Sequence, residues 1–194
     1  MFERVLLSVI LSMISVASFA TEHRDRWPPP SFDEQVGRRN EGIMLAQSLF
    51  DEVVTWLGGN FDLAASSERP KIEFASKDKL LRMRVADRAE WQGFTQAESE
   101  PTTERNVVAV YDTVSKTIFL PDDWIGVSAA DQSILVHEIV HHLQNLSQQK
   151  FECPAAREKL AYLAQDKWLA KFGTSLEREF DLDMFTVVVS SACM

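Results

Sequence analysis

Cationic side chains are scarce in this sequence. Only 20 Lys and Arg stand against 29 Asp and Glu, which leaves a formal charge of −9 at pH 7. Phosphate recognition needs clustered Lys and Arg, and beyond short pairs such as Arg38-Arg39 there are none, so nucleic acid is excluded as a partner. Glycine and proline are also few, at seven each, which excludes collagen-like and low-complexity chains. No internal repeat is present. Cysteine occurs only twice, so the 194 residues must rely on an apolar core rather than a disulfide framework. With 45% hydrophobic and 25% charged residues, the composition is that of one globular domain.

The one long uncharged apolar run is residues 5–19. It is shorter than the ~20 residues of a membrane span. Arg4 precedes it, and Ser18-Phe19-Ala20 closes it with small residues at the positions a signal peptidase reads. The expectation is a signal peptide over 1–20, cleaved after Ala20, and a periplasmic or secreted product with no stable membrane span. No Cys stands directly after the cleavage point, so bacterial lipidation is not indicated. Export makes a disulfide permissible, and with two cysteines the only intramolecular pair is Cys153–Cys193.

Residues 21–38, with Trp27-Pro28-Pro29-Pro30, read as an extended lead-in. The domain proper is then 39–194. Ile43, Ala46, Leu49, Phe50, Val53, Val54 and Leu57 recur at helical spacing over 39–57, and Gly58-Gly59-Asn60 should end that helix. A strand is expected at 71–74 and a helix, capped by Ser76, over 77–86. Residues 87–105 are polar, contain Gly93 and Pro101, and read as a loop. Two β-branched runs, 107–111 and 117–120, flank a turn and make a hairpin. Ser128 caps a helix over 129–147, with Asp131 in the capping-box position. Pro154 opens another helix, which runs to about 172 and stops at Gly173. Ser175 caps a last helix, and periodicity does not decide between helix and strand for 185–189. The fold class is α+β, mainly helical, with a small β-hairpin or sheet before the helix at 129–147.

That helix carries His137-Glu138-Ile139-Val140-His141. Four residues turn through about 400°, so both imidazoles point the same way, one turn apart, and can share one Zn2+. Zinc brings the pKa of a water towards about 7, and a carboxylate at Glu138 is placed to take that proton. This is the H-E-x-x-H logic of zinc metallopeptidases. Ile134, Leu135, Ile139, Val140, Leu143 and Leu146 bury the helix sides. A catalytic zinc usually has three protein ligands. His23 lies in the lead-in, and His142 is rotated about 100° from His141. A carboxylate on the next helix is therefore sought among Glu158, Glu152 and Asp166. Glu158, one turn into that helix, is favoured because a helical hairpin returns it over the histidines. An oxyanion donor is sought among Tyr162, Tyr111 and His142. Tyr162, one turn after Glu158, is the preferred choice, and Gln165 on the same face would frame the cleft. Trp124 and Trp168 read as core.

These residues resemble the zincin superfamily, in its gluzincin type, over roughly a third of the chain. The stretches around His142-Leu143-Gln144, Cys153-Pro154, Arg157-Glu158 and Ala161-Tyr162 are also similar to small exported bacterial zincin-like proteins. The resemblance implies His137, His141 and Glu158 as zinc ligands, Glu138 as general base, and a peptide or protein substrate lying along a strand of the 107–120 hairpin. One position departs from it. Where many gluzincins carry an Asp four residues after the ligand Glu, this chain has Tyr162. The acceptor supporting a ligating histidine must then come from elsewhere, with Asp181, Asp183 or a backbone carbonyl as candidates. A competing reading is a non-catalytic zincin-like module that binds zinc and acts as a binding protein in the cell envelope.

Overall fold

The computed structural model describes residues 31–64, 66–92 and 109–193, with side chains for all of these but 86–92. The expected signal peptide, most of the lead-in, residues 93–105 of the expected loop, and the first two residues of the expected strand at 107–111 lie outside the described residues.

The first helix, α1, spans Phe32–Phe61. It is longer at both ends than its apolar pattern indicates. Residues 32–41 are exposed throughout, so no core-facing periodicity marks them. At the other end the helix runs through Gly58-Gly59-Asn60. Asn60 donates its side-chain amide to the Trp56 carbonyl at 2.8 Å, and the Phe61 ring packs edge-on against Trp56. The turn out of the helix falls instead at Asp62, with φ of 53°. The buried face is Gly42, Ala46, Phe50, Val53, Val54 and Leu57. Gly42 has a specific reason: a Cβ there would lie 2.7 Å from Cζ of Phe74 on the neighbouring strand.

Strand β1, Lys71–Ala75, leads through Ser76 into α2, Lys77–Gln92. Residues 87–92, expected as loop, are helical. They hold no Gly or Pro, and the breakers Gly93 and Pro101 come only afterwards. Strands β2, Val110–Asp112, and β3, Thr117–Pro121, form the expected hairpin. The Asp112 carboxylate accepts from the Val114 and Ser115 amides across the turn. The sheet order is β1-β3-β2, with β1 parallel and β2 antiparallel to β3. The central strand β3 is buried along its whole length.

Helix α3, Ala129–Leu146, follows. The Ser128 hydroxyl accepts from the Asp131 amide at 3.0 Å, as an N-cap should. The Asp131 carboxylate reaches further back than a capping box requires and accepts from the Gly126 amide at 3.1 Å. Gly126 has φ of 72°, and a Cβ there would meet the Trp124 ring at 2.5 Å. Every residue from 133 to 144 is buried, so α3 is the core helix, packed by α1, the sheet and α4. Helix α4, Pro154–Ala170, opens with proline and leaves through Gly173 at φ of 74°. Two short helices close the chain. These are α5, Leu176–Phe180, capped by Ser175, and α6, Met184–Ser190, capped by Asp183. The segment 185–189 is thus helical. Cys153 and Cys193 are bridged, with Cα atoms 5.8 Å apart, which ties the end of the chain to the start of α4.

The described residues make an α+β fold of six helices and a three-stranded sheet. From Phe32 onward they fall in a single compact unit. None of the described helices is long and apolar enough to cross a membrane.

Candidate metal centre

Helical spacing puts His137 and His141 one above the other on α3, with their Nε2 atoms 3.1 Å apart. The hairpin between α3 and α4 brings Glu158 against both. Its Oε2 lies 3.3 Å from His137 Nε2 and 3.4 Å from His141 Nε2. One donor atom from each of the three side chains lies within 4.8 Å of the others. Of the other candidates for a third ligand, Glu152 is exposed ahead of α4, and Asp166 accepts from the Leu176 amide at 2.9 Å, fixing the start of α5.

The hydrogen bonds around the rings decide which nitrogens carry protons. Gln144 donates its amide Nε2 to the Arg157 carbonyl at 3.1 Å. A carbonyl only accepts, so the Oε1 of Gln144 must face His141 Nδ1, 3.0 Å away, and that nitrogen must be N–H. Ser133 donates its hydroxyl to the Ala130 carbonyl at 2.7 Å and accepts from Gln165 Nε2 at 3.3 Å. The Oε1 of Gln165 therefore accepts from His137 Nδ1 at 3.0 Å. Both rings carry the Nδ1 proton, and both turn Nε2 towards the same Glu158 carboxylate oxygen. Two imidazole nitrogens and a carboxylate oxygen are a donor set that suits zinc and its first-row neighbours.

Glu138 is buried, and its Oε2 finds no hydrogen-bond partner among the described residues. Burial holds its carboxyl above the ordinary range, against the pull of His137 and Arg84. Glu158 shows the opposite balance. Burial raises it, but His141, His137 and Arg84 together outweigh that and hold it well below the usual carboxylate range. Arg84, on α2, reaches Glu158 Oε2 at 3.5 Å, and Arg157 Nε reaches its Oε1 at 3.4 Å.

Tyr162 packs its ring edge-on against His137, centroids 4.6 Å apart. The two other proposed oxyanion donors are engaged elsewhere. Tyr111 O–H meets His142 Nδ1 at 3.1 Å and accepts from Asn145 at 2.9 Å, while His142 Nε2 donates to the Glu68 carbonyl at 2.8 Å. Burial pushes His142 down and Tyr111 up, so both stay neutral in this bonded cluster. Asp181 and Asp183 do not support a histidine. Asp181 ends α5 in the left-handed region, and Asp183 caps α6. The supporting acceptors are Gln144 and Gln165, which lack the charge that would have singled them out in the sequence. Arg84 was equally hidden, 74 positions from its partner. Trp124 and Trp168 lie in the core, as expected.

Residues 44–194 match the family model of the domain of unknown function DUF6647, and the chain belongs to that family. No curated protein and no solved structure matches it.

Proposed function

We propose that this chain is an exported zinc-dependent hydrolase of peptide bonds, of zincin type. The observation that carries the reading is the convergence of two imidazole Nε2 atoms and the Glu158 carboxylate beside Glu138. Bound zinc would supply Lewis acidity and bring the pKa of a water to about 7. His137, His141 and Glu158 would hold it, and Arg84 and Arg157 steady the Glu158 carboxylate. Glu138 takes a proton from the attacking water and returns it to the leaving nitrogen. Its raised carboxyl pKa suits both halves of that task. Tyr162 donates its hydroxyl to the developing oxyanion. The partner is a peptide or protein substrate. The disulfide supports export, because such bonds persist in oxidising compartments.

One observation favours a second reading, that of a zinc-binding module without catalysis. His137, Glu138 and His141 are each at most 5% exposed, and closed sites are the mark of structural zinc. Metal analysis of protein purified without chelators, followed by chelator-sensitive cleavage of a mixed peptide library, separates the two. Stoichiometric zinc with cleavage is expected. Zinc without cleavage selects the binding module, and no zinc refutes both.

A further inference from the structure

Each candidate ligand imidazole rests on a buried glutamine, and the two glutamines are anchored differently. Gln165 connects His137 to a hydroxyl, that of Ser133. Gln144 connects His141 to a backbone carbonyl, that of Arg157, the residue immediately before Glu158. Metal-bound histidines commonly lean on a carboxylate or a main-chain carbonyl. At position 144 a carboxylate would fail. It can accept from His141 Nδ1, but it has nothing to donate to Arg157 O and would face a carbonyl lone pair. At position 165 a carboxylate is compatible, because the Ser133 hydroxyl can swing its hydrogen round to meet it.

We infer that Gln144 is a two-ended positioning residue. It fixes His141 by accepting from its Nδ1–H, which leaves Nε2 as the atom to face a metal, and clamps the backbone that presents Glu158, so one side chain sets the spacing between a ligand on α3 and a ligand on α4. Gln165 orients His137 alone. The inference rests on the metal-binding reading above and extends it to the groups that hold the ligands in register.

The test is zinc affinity, measured by competition with a chromophoric chelator, on the wild type, Gln144→Glu and Gln165→Glu. Thermal melts of the zinc-free proteins establish folding. Gln144→Glu should lose about 10–100-fold in zinc affinity, the usual cost of an outer-shell change. Gln165→Glu should bind at least as tightly as the wild type, since a carboxylate makes the imidazole a stronger donor. A merely structural role predicts equal losses or none. Gln144→Glu binding as tightly as the wild type overturns the proposal. Should Gln144→Glu fail to fold, or the wild type bind no zinc, ¹⁵N spectra of the zinc-free wild type above the imidazole titration range decide the matter. Nδ1–H on both rings sustains the glutamine assignment, and Nε2–H on His141 overturns it. Absence of zinc binding refutes the metal centre itself, a result distinct from either tautomer outcome.

Discussion

Opening the Cys153–Cys193 bridge measures how much of the stability comes from tying the C-terminus to α4. The two cysteines are 40 positions apart. For a loop of that length the chain-entropy relation gives about 13 cal/mol/K, or about 4 kcal/mol at 25 °C, withheld from the unfolded chain. The native side of the balance changes little. Val187 stays buried against Leu169 and Leu176, so α6 keeps its seat on α4 without the bond. Cys153 also stands at the N-cap of α4 and makes no side-chain cap hydrogen bond. The double variant Cys153→Ala/Cys193→Ala should therefore lose about 4 kcal/mol, a large part of the ~5–15 kcal/mol of a typical domain. Cys153→Ser/Cys193→Ala should recover about 1 kcal/mol of that, because a serine hydroxyl can take up the vacant cap. Urea unfolding followed by far-UV circular dichroism reads both, and the bridge-free chains should show a steeper denaturant dependence because their unfolded states expand further. A loss below about 1 kcal/mol in the double alanine variant would refute the loop-closure argument.

Glu138→Gln should keep zinc and fold while hydrolysis falls about 10²–10⁴-fold, whereas Glu158→Gln should lose zinc first and activity as a consequence. Metal analysis beside rate measurement distinguishes them, and zinc loss in the Glu138 variant would contradict the assignment. Gly126→Ala forces a side chain into the left-handed region and onto the Trp124 ring, so it should cost about 2–4 kcal/mol in chemical denaturation; a neutral result would mean the loop before α3 can move. The Thr186 hydroxyl and amide hold the Asp183 carboxyl below its ordinary value. Its folded value is depressed, so its contribution is present above the ordinary carboxylate range and lost as pH falls through the lowered one. Protection of the Thr186 amide, its exchange rate set against the intrinsic rate at the same pH, should then fall in acid, and protection that does not change would remove Asp183 from the account.

The helical hairpin of α3 and α4 was legible because several signals agree there: the Ser128 cap, apolar sides flanking the motif, Pro154 and Gly173. Glu158 could be favoured over Glu152 and Asp166 for the same reason, since its place one turn into α4 follows from the helix start. Elements without a buried face were harder. The exposed first ten residues of α1 carry no period, and 87–92 is polar without a core-facing stripe although it is helical. Val-rich 185–189 is ambiguous in period, and the Asp183 cap resolves it. Nothing in the sequence marks Gln144 and Gln165 as supports, because an amide reveals its role only through what stands at its other end, here Arg157 O and the Ser133 hydroxyl.

Among the described residues, the polar groups of the candidate centre other than Arg84 come from α3 and α4, joined by the short turn at 147–153. The sheet makes a different demand, since β1 and β3 must pair Lys71 with Thr117 across α2 and everything between. Closing a short loop loses less chain entropy and proceeds faster than closing a long one. The consequence is an order of assembly in which the helical hairpin, with its histidines and glutamines already in register, forms ahead of the parallel strand pair. Substitutions within that hairpin then act mainly on the folding rate, and substitutions along the β1–β3 pairing mainly on the rate of unfolding.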